Sequence, residues 1–177
     1  MSVFDEIYKS NTWGFGSGHG SLPSVTKGYR ALLETFIREN NVRSVVDYGS
    51  GDWQFSKLVE WGDIEYTGVD VVPSLTAENT TKYGNQKRKF VTLAPGSNGI
   101  PDADLLICKD VLQHMPNQAV QEFVANILPK FKCALITNCI HSTAPAKVVY
   151  SFSGPKVFSW RQRKFFPPWK KLVILVG

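Results

Sequence analysis

Residues 44–52 read Ser-Val-Val-Asp-Tyr-Gly-Ser-Gly-Asp, so Asp47 ends an apolar run and Gly49, Ser50 and Gly51 follow it at once. Some way on, Tyr66-Thr-Gly-Val-Asp70 repeats the pattern with a second terminal acid. A β-branched run that stops at a Gly-x-Gly turn is how a buried parallel strand hands over to a helix. A carboxylate closing the next strand is placed to accept both hydroxyls of a ribose through charge-assisted bonds. Read for structure alone, Asp70 would cap a helix and the glycines would be ordinary turn residues. Read for chemistry, the pair binds a nucleoside-bearing cofactor at the carboxyl ends of a parallel sheet.

The glycine frame selects among nucleosides. A dinucleotide site wants a third glycine where this chain has Gln54, with Trp53 beside it. No Gly-Lys-Ser/Thr is present, which excludes a P-loop. Asp47 would repel a phosphate and attract a cation, such as a sulfonium or an α-ammonium group. These features fit S-adenosylmethionine better than NAD.

With those residues the chain resembles the class I S-adenosylmethionine-dependent methyltransferases. Val45-Val46-Asp47-Tyr48-Gly49-Ser50-Gly51 matches the first motif and Gly68-Val69-Asp70 the second. Asp104-Leu-Leu-Ile-Cys-Lys-Asp-Val-Leu-Gln-His114 resembles the fourth strand and the turn after it. The likeness covers residues 24–140. It implies cofactor contacts from Asp47, Gly49, Ser50, Gly51 and Asp70, with Val71 against the adenine. Two departures stand out: Trp53 replaces a small residue, and Phe90-Val-Thr-Leu-Ala-Pro lacks the acid that often meets the adenine amino group.

Asp110 belongs where the fourth strand opens into the cleft, so it is a candidate for cofactor contact and for catalysis. His114 lies one helical turn on and shares a face with Asp110 if residues 111–115 are helical. Methyl transfer to a hydroxyl needs alignment and removal of one proton. His114 is the first candidate base, followed by His19 and His141. No Asp/Asn-Pro-Pro-Tyr sequence follows the fourth strand, which counts against amino methylation of nucleic acids. The lead Trp13-Gly-Phe-Gly-Ser-Gly-His-Gly-Ser21 resembles the N-terminal lids of small methyltransferases, with Trp13 over the cofactor and glycines that permit closure. No metal is expected, because scattered His and Cys show no ligand spacing.

These groups need a scaffold. The chain has 177 residues, a net charge of +5, 43% apolar and 20% charged residues, which suits one α/β domain. Leu32, Leu33, Phe36 and Ile37 give a helical stripe ending near Asn40-Asn41. The expected strands are the run ending at Asp47, then Glu65–Asp70, Arg88–Leu93, Leu105–Cys108 and Ala134–Thr137, with further strands at Lys147–Phe152 and Leu172–Val176. Helices are expected over Trp53 to Trp61, from Pro73, and over Val120 to Leu128. The expectation is a Rossmann-like sandwich, a mostly parallel central sheet with helices on both faces and a shortened C-terminal end. Residues 1–23 form a Gly-rich lid or tail, 24–140 the cofactor-binding core, and 141–177 a basic aromatic segment.

No apolar run approaches the ~20 residues of a membrane span. The N-terminus lacks the order of a signal peptide. Cys108, Cys133 and Cys139 are three in number, with Cys108 and Cys133 in or beside strands, as inert thiols in a reducing cytoplasm. After Glu122 there is no acid, while Lys156, Arg161, Arg163, Lys164, Lys170 and Lys171 interleave with Trp160, Phe165, Phe166 and Trp169. That segment is a solvated face or a surface for nucleic acid, an acidic glycan or a protein. The sequence reading is therefore a methyltransferase acting on a sugar or small-molecule hydroxyl. The alternatives are a nucleic-acid methyltransferase and a catalytically inactive cofactor- or partner-binding protein.

Overall fold

The computed structural model describes residues 3–94, 97 and 99–138, and the strand backbone at 157–159 and 171–176. Seven strands form one sheet: β1 (Ser44–Tyr48), β2 (Glu65–Asp70), β3 (Arg88–Thr92), β4 (Ala103–Lys109), β5 (Phe131–Asn138), β6 (Val157–Ser159) and β7 (Lys171–Val176). Their order is β3-β2-β1-β4-β5-β7-β6, and every pair runs parallel. The order reverses between β1 and β4, so a crevice opens there at the carboxyl ends. The class I resemblance implies a closing helix and an antiparallel pair at the far edge, but residues 139–177 leave little room for them, so a trimmed or rearranged end is the expectation. Here β7 is parallel to both β5 and β6 instead.

The pleat divides the core in two, because successive strand residues face opposite ways. Val45, Tyr66, Phe90, Leu105, Ile107 and Leu135 point to the face covered by Leu33 and Ile37 of α2 (Lys27–Glu39). Val46, Val69, Leu106, Cys108, Ala134 and Ile136 point to the other face, under Phe123 and Ile127. Arrays of this size, buried on both faces, read in sequence as continuous apolar runs.

Between strands the expectations hold unevenly. The helix α3 (Pro73–Tyr83) begins at its proline, as the fixed φ of Pro at a first turn favours. Residues 53–61 do not form the expected helix; only a 3₁₀ turn at Ser56–Leu58 appears. The cause is Trp53, which sits in the left-handed region at φ 59 and carries its ring down into the core. The stripe from Val120 divides into α4 (Asn117–Glu122), a π-turn over Phe123–Ile127 and a 3₁₀ turn at Leu128–Lys130. Pro129 accounts for the break, since it cannot donate to a continuing helix. The lead is ordered as α1 (Val3–Lys9), a glycine-rich loop and a 3₁₀ turn at His19–Ser21. The strand expected at Lys147–Phe152, together with His141, Cys139 and most of the basic aromatic segment, lies outside the described residues.

Candidate cofactor-binding site

The carboxyl ends of β2, β1 and β4 place Asp70, Asp47 and Lys109-Asp110 side by side around a cavity of about 530 Å³. That volume is in the usual range for a small-molecule site. Its walls include all of the expected residues except Gly51: Trp13, His19, Asp47, Gly49, Ser50, Asp70, Val71, Asp110 and His114.

The glycine turn is fixed from below and from the side. The amides of Gly49 and Ser50 both donate to the Val69 carbonyl, at 2.8 and 3.0 Å. Gly49 has φ 78, and a Cβ there would fall within van der Waals contact of Val111 Cγ2. Gly51 has φ 54, and a Cβ there would overlap Ser17 Oγ and lie 3.0 Å from the Tyr8 hydroxyl. Both glycines therefore answer to close approach by other parts of this chain. Asn79 of α3 donates its amide to the Gly51 carbonyl at 2.8 Å. This asparagine belongs to an Asn-Thr-Thr sequon, but it is buried and unavailable as a glycosylation acceptor.

Asp70 receives the Gly51 amide on one carboxylate oxygen at 2.8 Å and the Val72 amide on the other at 3.0 Å. A carboxylate has about four acceptor positions, so about two remain for hydroxyls arriving from the cavity. Burial raises its pKa, and the backbone amides of Gly51, Val72 and Val71 oppose that rise. Ser50 brings a further polar group. Its hydroxyl is buried, has no hydrogen-bond partner, and belongs to a residue lining the cavity. An orphaned donor and acceptor in such a place is what a bound polar ligand would satisfy.

Asp47 is buried, and its Oδ2 accepts the Tyr66 hydroxyl at 2.6 Å and the Ser56 hydroxyl at 3.2 Å. Desolvation pushes its carboxyl up to about 6, against the pull of those two bonds. Tyr66 in turn accepts the Trp53 indole N–H at 2.7 Å. Trp53 packs against Tyr66, Tyr83 and Phe90, with the Arg88 guanidinium 4.8 Å over its ring. The bulky residue in the glycine frame thus fills the core beneath the turn and leaves the cavity clear.

The other side of the cavity comes from the lead and the exit of β4. Ser17 donates to Asp52 Oδ1 at 2.6 Å, accepts the Asp52 amide at 3.0 Å and meets the Tyr8 hydroxyl at 2.8 Å. Gln54 donates to the Phe15 carbonyl and to Asp52. Trp13 stands edge-on to Tyr8 with centroids 5.6 Å apart, and its ring lies 5.2 Å from that of His114. The lead is docked. Lys109, only 11% exposed along its side chain, donates to the Gly20 carbonyl at 2.9 Å and pairs with Asp110. Asp110 also accepts the Thr137 hydroxyl at 3.0 Å and has φ 57, in the left-handed region that Asp tolerates better than most residues.

The expected shared helical face of Asp110 and His114 does not form. Only a 3₁₀ turn at Leu112–His114 follows β4, so Asp110 is held by Lys109 and Thr137 while exposed His114 lies against Trp13. His19 is exposed at the cavity wall. Beyond β3, where an acid was absent in the sequence, Leu93, Ala94 and Ser97 line the cavity. Among the described residues no group of three His, Cys, Asp or Glu could hold a metal, and no helix is long and apolar enough to cross a membrane.

Sequence reasoning missed Ser17, Asp52, Tyr66, Asn79 and Lys109. All but Asn79 stood inside the quoted stretches, but their roles gave no local signal, since the partners lie 19 to 89 residues away.

No family model and no curated protein matches the chain. Solved structures do. Human N-acetylserotonin methyltransferase in complex with SAM matches with a TM-score of 0.59 at 18% identity, over 76% of this chain and 40% of that one. An S-adenosylmethionine-dependent methyltransferase from Clostridium acetobutylicum matches with a TM-score of 0.49 at 15% identity, over 60% of this chain and 46% of that one. The chain spans about half the length of these two structures or less. Strand order, the crevice between β1 and β4 and the likeness to the human structure agree: the fold is that of the class I S-adenosylmethionine-dependent methyltransferases.

Proposed function

We propose that the chain binds S-adenosylmethionine and transfers its methyl group to a hydroxyl of a sugar or other small molecule. The observation that carries the reading is Asp70. Its two oxygens are each tied to one backbone amide, so the carboxylate is oriented before any ligand arrives and keeps acceptor capacity for a ribose. Ser50, with its unpartnered hydroxyl, is the second mark of fit. Electrostatics supports the same ligand. Asp47, Asp52, Asp70 and Asp110 line the cavity against the single lysine Lys109, an arrangement that favours a sulfonium and an ammonium group.

Asp70 would hold the ribose, Val71 and the Leu93–Ala94 stretch the adenine, and Asp47 with Ser50 the amino-acid end. Bound there, the cofactor supplies an electrophilic methyl group. The remaining work falls to this chain's own residues: orienting the acceptor, excluding water and taking one proton. His114 against Trp13 is our candidate base, because Asp110 already accepts from Lys109 and Thr137; His19 is the second. Trp13 and the docked lead would shield the reacting groups from solvent. Trp53 no longer speaks for an inactive relative, since its ring leaves the cavity clear.

Thermal unfolding with S-adenosylmethionine, S-adenosylhomocysteine and NAD tests the reading. Ligand at ~100 times its Kd adds about 2.7 kcal/mol, a rise of roughly 5–10 °C for this size. The rise is expected with both adenosyl-sulfur ligands, not with NAD, and is expected to vanish in Asp70→Ala. A shift with NAD alone, or one that persists undiminished in Asp70→Ala, would sink it.

A further inference from the structure

The cavity's most buried carboxylate is held by a chain of donors that no motif contains. Tyr66, from β2, accepts the Trp53 N–H at 2.7 Å, and its hydroxyl has one proton to give. Because Trp53 occupies the phenol oxygen as acceptor, that proton is directed to Asp47 Oδ2, at 2.6 Å. The Ser56 hydroxyl reaches the same oxygen at 3.2 Å. Both donors converge on one oxygen of a carboxylate whose residue lines the cavity, and neither of them occupies the other oxygen, Oδ1.

We propose that Tyr66, Ser56 and Trp53 are positioning residues that fix Asp47 with Oδ1 toward the cavity, as the acceptor for the ammonium group of the bound cofactor. The inference rests on the cofactor reading above and adds to it three residues that never touch the ligand. Geometry restricts the carboxylate in rotation: a free χ2 would let it turn edge-on, whereas two donors on Oδ2 hold one orientation. The same bonds stabilise the charged form against desolvation. Other groups in the field are Asp70 at the end of β2, which opposes ionisation, and Lys109 at the end of β4, which favours it. Tyr29 of α2 and Cys108 of β4 also face Asp47, and Asp110 acts on both of them.

Deleting a donor has two consequences for binding. Affinity falls, and the carboxylate ionises at higher pH, so the acid limb of the binding curve moves upward in pH. A purely structural role would not produce the second effect. The test is titration calorimetry with S-adenosylmethionine on wild type, Tyr66→Phe and Ser56→Ala from about pH 5 to about pH 8. Tyr66→Phe should bind about tenfold more weakly at the upper end, because the ligand must then orient, and stabilise the charge on, a buried carboxylate that has lost its stronger donor. Ser56→Ala, whose bond is longer, should lose roughly threefold and carries the test if Tyr66→Phe does not fold. In both, binding should fail at higher pH than in wild type. Wild type that takes up no cofactor at any pH overturns this proposal together with the cofactor reading. Wild type that binds, beside folded variants with its affinity and its acid limb, overturns this proposal alone.

Discussion

The two walls of the cavity are built by different means. The wall at β1 and β2 is made from strand ends and a turn whose polar groups are committed before a ligand arrives: Gly49 and Ser50 to Val69, Asp70 to Gly51 and Val72, Asp47 to Tyr66 and Ser56. The facing wall is made from the lead and the exit of β4, where Trp13 and His114 meet ring to ring and Ser17 reaches Asp52 across 35 residues. One wall belongs to the sheet and opens only with it. The other is held by a few part-buried bonds, so it can open at much lower cost. On the proposed reading the difference would give the walls separate work: the rigid wall would hold the cofactor, and the detachable wall would admit and release the acceptor.

The sharpest way to break this contrast is at Gly49. An alanine there would adopt a left-handed conformation, at about 1–2 kcal/mol, and its Cβ would press on Val111, at about 1–3 kcal/mol more. Gly49→Ala should therefore lose roughly 2–5 kcal/mol, a fall in Tm of roughly 5–15 °C. The double variant with Val111→Ala should recover the packing part and not the backbone part. Melting within about 2 °C of wild type would show the turn to be less tightly locked than its geometry implies.

Asp47 gives the next largest effect, in the opposite direction. Its carboxyl is raised by burial from 3.8 to about 6, so the folded state holds a proton that the unfolded chain has already released. The unfolded state binds fewer protons between those values, and stability must fall as pH rises through that window. At 1.36 kcal/mol per pH unit the charged form costs about 3 kcal/mol above pH 6. Asp47→Asn keeps an oxygen for Tyr66 and removes the charge. It should gain up to about 3 kcal/mol at pH 7.5 and none near pH 4, read as urea midpoints at the two values. It should also bind S-adenosylmethionine more weakly, stability gained where binding is lost. Equal midpoints at pH 7.5 would mean that the rigid wall carries no such strain.

How much was legible in the sequence follows the same division. The strands of the rigid wall announce themselves, because burial on both faces demands apolar runs and each run ends at an acid that lines the cavity. Asp47, Ser50 and Asp70 were readable for that reason. Trp53 was not: its type suggested a damaged glycine turn, and only the fold shows the ring turned into the core to meet Tyr66 and Phe90. Around a left-handed Trp53 the helix expected over 53–61 shrinks to a single turn, closed by the Lys57 amide on the Trp53 carbonyl at 3.2 Å, and the 3₁₀ turn at Ser56–Leu58. Asp110 and His114 had the right spacing for a helix, but the chain makes only a 3₁₀ turn there. The detachable wall had aromatic residues as its one signal. Its anchors, Ser17 to Asp52 and Lys109 to Gly20, are contacts between distant segments that no local pattern encodes.

The smallest expected effect is the most direct test of detachment. The Ser17 hydroxyl makes three bonds at the junction, to Asp52 Oδ1, from the Asp52 amide and with Tyr8, beside a fourth from its backbone amide to Asp52 Oδ2, and it sits where Gly51 has no side chain. Ser17→Ala removes all three while adding no bulk. A bond to a charged group is worth about 1.5–3 kcal/mol, and solvent access at this half-buried site puts the loss near the lower end. Amide exchange across residues 3–21 should accelerate about tenfold, in line with roughly 1.4 kcal/mol of local opening. Exchange in β1 and β2 should not change, and Tm should move by no more than about 4 °C. If exchange in β1 and β2 rises in step with the lead, the two walls open together and the division between them is wrong. If only the lead accelerates, and a saturating cofactor slows it again, the lead closes on its own and does so over the occupied site.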